Sequence, residues 1–256
     1  MPTIANSLGQ RPMHHLSVGL LEQDYFRHFH SDIRIQPPAP GQVRVRRLVH
    51  RGAPRPVYKF FSIKLNRVVQ CESFLEVEAG QLLDACPAVS AFAEQPVVIH
   101  YEIDESLHRH IPDFAVWTGG RREFVEVKFK KDLTEEVVDR TLLLSNLLTR
   151  LGWGYRLITE DDIRAGFWLW NARKLLRRGR EIAPQPWPLK TYDLVRRRGQ
   201  VPLAHFGWEE SGRQDAAWIA SELIQGHFQA DRSTPLTADS VIYLGSDTIA
   251  TRGLPW

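Results

Sequence analysis

The chain has 256 residues, of which 43% are hydrophobic, 25% charged and 10% aromatic. That balance excludes wholesale disorder and leaves room for one large domain or two smaller ones. No run of about 18 apolar residues is present to span a membrane, and residues 1–24 lack the basic start and apolar core of a secretory signal. Two cysteines, Cys71 and Cys86, cannot alone build a disulfide framework or a four-ligand zinc site. The expectation is a reducing, cytoplasmic setting.

The net charge is only +3, but it is unevenly spread. Gly41 to Gln70 holds eight bases and no acid. Cys71 to Asp113 holds nine acids against Arg109 alone. Asn171 to Gln200 holds nine bases and two acids. An acidic centre between basic flanks suits a protein that gathers cations and neutralises phosphates; uneven solvated surface would produce the same counts.

Residues 1–55 read as an irregular arm, with one short helix around Leu20–Phe29 and a proline-rich break at Gln36–Gly41. Tyr58–Ile63 and Arg67–Cys71 read as strands around a Leu65-Asn66 turn. From Glu72 to Cys86 the apolar residues Leu75, Ala79, Leu82, Leu83 and Cys86 keep helical spacing, and Pro87 marks the stop. Pro96–Ile103, Arg109–Trp117 and Glu123–Phe129 read as strands, the last two joined by Thr118-Gly119-Gly120. A helix opens at Asp132, with Glu135 completing a capping box, and ends at Gly152. Tyr155–Thr159 is a further strand. This order predicts an α/β domain over 56–160, a mixed sheet flanked by helices. Residues 161–256 read as a small, mostly helical domain: an amphipathic helix at Asp161–Arg178, helices at Thr191–Gly199 and Gln214–Gln225, and a start signal at Thr237-Ala238-Asp239.

The chemistry concentrates in Ile111-Pro112-Asp113-Phe114 and Val125-Glu126-Val127-Lys128. Alternation along a strand sends Glu126 and Lys128 to one face and Val125 and Val127 to the other. The glycine turn brings the preceding strand back antiparallel, so Asp113 reaches the same patch if the register allows. Carboxylates converge only at a Coulomb cost unless a cation sits between them. Hard oxygen ligands suit Mg²⁺ or Mn²⁺, and a nearby lysine can orient water or balance phosphate charge. Glu72 and Glu76 share one helix face and can add a third acid.

The blocks Phe61-Ser62-Ile63-Lys64, Glu72-Ser73-Phe74-Leu75-Glu76, Ala93-Glu94-Gln95-Pro96, Ile111–Phe114 and Phe124–Lys128, in this order, resemble a PD-(D/E)xK nuclease. More closely, they resemble the TnsA family, the endonuclease subunit of heteromeric bacterial transposases. The resemblance spans about 100 of the 256 residues. It implies a restriction-endonuclease-like fold and Mg²⁺- or Mn²⁺-dependent cleavage of double-stranded DNA at transposon ends. A DDE-type transposase subunit and an AAA ATPase regulator are the implied partners, and the setting would be bacterial, cytoplasmic and nucleoid-associated. By motif position, Glu76 (or Glu72, one turn away) is the helix carboxylate, Asp113 the central ligand, Glu126 the second strand ligand and Lys128 the catalytic lysine. The Val127 carbonyl would assist at the metal. Glu94-Gln95-Pro96 is read as a structural lead-in to the next strand. In the family the C-terminal domain resembles a winged helix and contacts the ATPase regulator, whereas Asp161–Trp256 matches it only as a small helical domain. The family's proline after the lysine is replaced here by Phe129.

Arg44, Arg46, Arg47, Lys64, Arg67, Arg173, Lys174, Arg177 and Arg178 are candidates for phosphate contacts, which position DNA without reading sequence. His108 and His110, flanking Arg109, are read as exposed rather than as ligands. The cysteines and most of the eight tryptophans are assigned to the core. Two alternatives stand beside the transposase subunit: a stand-alone restriction or repair nuclease of the same fold, and a catalytically idle DNA-binding assembly subunit.

Overall fold

The structure is a computed structural model that describes residues 33–46, 56–103, 105–180, 189–245 and 254. The expected helix around Leu20–Phe29, and Arg47, lie outside the described residues.

The strands are β1 (Ile33–Gln36), β2 (Tyr58–Ser62), β3 (Arg67–Cys71), β4 (Val89–Glu94), β5 (Val98–Ile103), β6 (Ser106–His110), β7 (Phe114–Thr118), β8 (Arg121–Val127) and β9 (Gly154–Ile158). Helix α1 (Phe74–Ala85) lies between β3 and β4, and α2 (Glu135–Thr149) between β8 and β9. A four-stranded sheet in the order β4-β7-β8-β9 forms the centre. Its first three strands are antiparallel and β9 runs parallel to β8, while β1-β5-β6 form a second sheet and β2-β3 a hairpin. This is an α/β fold with mixed sheets and helices, as expected from the order of elements.

Alternation along β7 and β8 decides which core each side chain joins. Val116, Val125 and Val127 face α1, together with Leu75, Ala79, Leu82 and Leu83. Ala115, Trp117 and Phe124 face α2, together with Leu144, Leu147 and Leu148. Trp153 stacks on Phe124 with centroids 4.2 Å apart, which adds to the area buried on that side.

Local signals explain the element ends. The Ser73 side chain accepts from the Glu76 N–H at 3.1 Å and caps α1. Asn66 adopts φ +49° in the β2–β3 turn, where a short polar side chain is tolerated. Gly120, at φ +92°, allows the two-residue β7–β8 turn. Gly80 serves a different need: a Cβ there would come within 2.8 Å of the Phe60 ring, so only glycine lets α1 lie this close to β2.

Several boundaries differ from the sequence reading. Ile33–Gln36 lies in the expected irregular arm, yet pairs antiparallel with β5. β4 was not foreseen. The strand expected at Arg109–Trp117 is two strands in different sheets, parted at Ile111-Pro112-Asp113, because proline cannot continue a ladder. Asp132 closes a 3₁₀ turn instead of capping α2, and Thr134 is the cap. Glu94 ends β4, and Gln95 turns the chain at φ +44° before β5.

Beyond β9 the expected helix at Asp161–Arg178 is broken at Gly166 (φ +53°) into α3 (Glu160–Ile163) and α4 (Trp168–Gly179). Then follow α5 (Leu189–Arg198), β10 (Val201–Pro202), α6 (Gln214–Gln225), β11 (Phe228–Gln229) and β12 (Val241–Leu244). Thr237-Ala238-Asp239 opens no helix; it is a turn before β12 in which the Thr237 N–H donates to Ser240 Oγ. The C-terminal part is thus helical with a small antiparallel sheet, order β10-β12-β11. Its apolar residues Leu175, Leu176, Ile219, Leu223 and Ile242 join the same core as α1. Cys71 and Cys86 are free and buried, as expected. Trp117, Trp153 and Trp208 are core residues, whereas Trp168 and Trp170 are exposed. Among the described residues no helix is long and apolar enough to cross a membrane.

Candidate active site

The β7–β8 register pairs Phe114 with Val125. Asp113, one residue before β7, therefore sits across from Glu126. Its Oδ2 accepts from the Val127 N–H at 2.8 Å, while its carbonyl accepts from the Gln95 N–H at 2.8 Å. The side chain is fixed from β8 and the backbone from the turn that follows β4.

Glu126 is 2% exposed. Its Oε1 lies 2.7 Å from Lys128 Nζ and 3.9 Å from an Arg140 nitrogen on α2. Its Oε2 lies 3.1 Å from His110 Nε2. That contact brings the groups close without hydrogen-bond alignment, so this buried oxygen has no well-formed hydrogen bond. The same His110 nitrogen is 2.8 Å from Tyr155 Oη.

Glu76 enters from α1. Its Oε2 accepts from the Glu72 N–H at 2.8 Å. The Glu72 side chain turns elsewhere, to Arg46 at 2.8 Å and to Gln95 Nε2 at 2.9 Å. Glu72 precedes the Ser73 cap and so does not share a helix face with Glu76 as expected; Glu76, on α1, is the acid whose charge bears on both Asp113 and Lys128.

The electrostatics follow from this crowding. Burial pushes the Asp113 carboxyl well above its usual range, and the charges of Glu126 and Glu76 push it further. Burial also raises Glu76, against the hydrogen bonds from Glu72 and Ser73. Burial works against ionised Glu126 too, but His110 and Lys128 outweigh it and hold this carboxylate below its ordinary value. Burial would lower Lys128; Asp113 and Glu126 outweigh it, so the ammonium is held above its ordinary value. One acid is thus stabilised as an anion, while two are pushed toward the proton, chiefly by burial.

Three carboxylates and a backbone carbonyl form a donor set suited to a hard divalent cation, and the orphaned Glu126 Oε2 fits that use. Among the described residues, however, no group of three or more His, Cys, Asp or Glu is gathered to hold a metal. Each acid is turned onto a donor of its own, and the Val127 carbonyl is 3.5 Å from Lys128 Nζ.

The basic candidates divide by surroundings. Lys64 is buried, and its ammonium donates to the carbonyls of Cys86 and Val89 at 2.8 and 2.6 Å. Burial lowers its pKa to about 8. It is not a surface cation, which corrects the reading from the basic run. Arg67 grips the buried Glu94 through two bonds of 2.7 and 2.6 Å, with Arg44 at 3.6 Å. Arg178 is buried against Trp208 and donates to the Glu210 carbonyl, so it too is not a surface cation. Lys174 reaches Glu209 and the Leu236 carbonyl. Arg46, Arg173 and Arg177 remain exposed, although Arg173 also pairs with Glu78 at 2.7 Å. Arg164, Trp170, Arg173, Lys174 and Arg177 line a cavity of about 570 Å³ beside α1.

The sequence reading set His110 aside and did not consider Arg140 or Tyr155. The signal available for His110 was its position three residues before Asp113, on the same short link. Tyr155 and Arg140 carried none, since only the β8–β9 pairing and the packing of α2 bring them near.

Residues 86–160 match the family model for the TnsA-like endonuclease N terminal domain. No curated protein matches the chain. One solved structure, that of protein VC1899 from Vibrio cholerae, is similar at 18% identity with a TM-score of 0.22. The match covers 35% of this chain and 29% of that one, so the chain spans less than a third of that protein's length. Asp113, Glu126 and Lys128 all fall inside the family match, and Glu76 lies ten residues before it. Over residues 86–160 the chain is therefore similar to a TnsA-like endonuclease N-terminal domain.

Proposed function

We propose that the chain is a metal-dependent DNA endonuclease that cuts double-stranded DNA at transposon ends. It would act as the TnsA-like subunit of a heteromeric transposase, beside a DDE-type subunit and an AAA ATPase regulator, in the bacterial cytoplasm at the nucleoid. One observation carries the reading: Glu76 from α1 and Glu126 from β8 both bear on Asp113, just before β7, and Lys128 Nζ lies 2.7 Å from Glu126 Oε1.

Asp113, Glu126, Glu76 and the Val127 carbonyl are the groups that would hold Mg²⁺ or Mn²⁺. When bound, such an ion supplies an acidified water and stabilises charge on the phosphate. The chain's own groups do the rest. The Val127 N–H orients Asp113. Lys128, held protonated by its acidic neighbours, donates to the phosphate or the attacking water and balances developing charge. Exposed Arg46, Arg173 and Arg177 are suited to phosphate oxygens on either side. The C-terminal helices and small sheet would be the winged-helix-like platform that meets the regulator.

The test is cleavage of transposon-end DNA by the full chain with the transposase subunit present, in Mg²⁺ or Mn²⁺ and in chelator. Wild type should cut only with metal, and Asp113→Ala and Lys128→Ala should not cut. Wild-type rates in both variants would overturn the assignment.

A further inference from the structure

We propose that His110 and Tyr155 are positioning residues for the Glu126 carboxylate, an inference that rests on the reading just given. The cations Lys128, at 2.7 Å, and Arg140, at 3.9 Å, both meet Glu126 at Oε1. A carboxylate held at one oxygen still rotates about its terminal torsion, which is broad. On the other side His110 Nε2 lies 3.1 Å from Oε2, unaligned as a hydrogen bond but close enough to restrict that rotation by contact and charge. Tyr155 in turn fixes the imidazole. Its hydroxyl is 2.8 Å from the same nitrogen, and its ring meets the imidazole edge-on with centroids 6.0 Å apart.

The three residues come from separate elements: His110 ends β6 in the outer sheet, Glu126 is on β8 and Tyr155 is on β9. Tyr155 is set by the parallel register that pairs it with Phe124, two residues from Glu126 on the same face of β8. Ile111-Pro112 then links His110 directly to Asp113. One short, proline-stiffened segment thereby delivers an acid to the site and the group that aligns the acid opposite. Partners that orient a ligating carboxylate govern how well it binds a cation.

The experiment titrates Mn²⁺ into the full chain, followed by electron paramagnetic resonance, with thermal unfolding of each variant alongside. His110→Ala should weaken Mn²⁺ binding roughly 10-fold, with little change in melting temperature. His110→Gln, whose amide nitrogen can stand where Nε2 does, should recover most of that loss. Tyr155→Phe keeps the ring and should fall between them. Wild-type Mn²⁺ affinity in folded His110→Ala, or a His110→Gln as impaired as His110→Ala, would overturn the proposal. Should His110→Ala fail to fold, Tyr155→Phe decides, and wild-type affinity there overturns it. Asp113→Ala separates the two levels. If it abolishes Mn²⁺ binding while His110→Ala does not weaken it, only the positioning role falls; if wild type binds no Mn²⁺, the metal reading falls and takes this proposal with it.

Discussion

The Val127 N–H donates to Asp113 Oδ2 at 2.8 Å, so the backbone of one strand aims the carboxylate of its neighbour. This bond needs an acceptor but no charge. Asp113→Asn keeps an oxygen for it and removes a buried negative group that Glu126 and Glu76 repel. Stability should stay level or rise by up to about 1 kcal/mol. Cleavage should fall by roughly 100-fold or more, since the variant lacks the anionic ligand. Thermal unfolding and a cleavage assay on the same preparation check both halves.

Arg67 is a structural cation. Its two bonds to Glu94, itself 1% exposed, form a buried bidentate pair. Among the described residues, Arg67→Ala leaves that carboxylate with Arg44 at 3.6 Å as its remaining cation. The expected loss is about 3 kcal/mol, read from urea unfolding. Arg67→Lys should recover only part of it, because an ammonium cannot reproduce the fork.

Gly80→Ala should destabilise despite alanine's better helix propensity. The propensity gain is about 1 kcal/mol, but the new methyl meets the Phe60 ring at 2.8 Å. Overpacking of this kind costs about 1–3 kcal/mol, so the net change should be a lower melting temperature. Gly80→Ala combined with Phe60→Leu should lose less than the two single changes summed.

The Glu222–His227 pair, 2.8 Å apart, predicts a pH dependence. Its hydrogen bond to Glu222 raises His227 above 6.5. Burial raises Glu222 above 4.5 despite the histidine. In both cases the folded state binds the proton more tightly than the unfolded state. The contribution of His227 is complete below 6.5 and is lost as pH rises through its raised value. That of Glu222 is complete below 4.5 and is lost in the same direction. Melting temperature should therefore decline between pH 5 and 8 more steeply in wild type than in Glu222→Gln. His227→Gln should flatten only the upper part of that window.

Much of this was readable in the residues. Gly119-Gly120 between two β-rich runs announced the β7–β8 hairpin, and the hairpin register puts Asp113 opposite Glu126. β4 was invisible because Val-Ser-Ala-Phe-Ala-Glu has neither a β-branched run nor an apolar–polar alternation, being buried on both faces over most of its length. Lys64 shows the limit of counting charge. Its position in a run of bases predicts solvent, whereas its ammonium is drawn inward by two carbonyls about 25 residues away. His110 and Tyr155 are 45 positions apart, and no local pattern announces that they meet.

Glu78 on α1 is clamped by Arg164 and Arg173, both beyond β9, at 2.8 and 2.7 Å. Pruning the polypeptide after residue 160 would strand that carboxylate in an apolar setting and strip α1 of its outer cover. The half that carries the candidate site is therefore no detachable module: its helix borrows both counterions and packing from the tail, and the two halves should melt together.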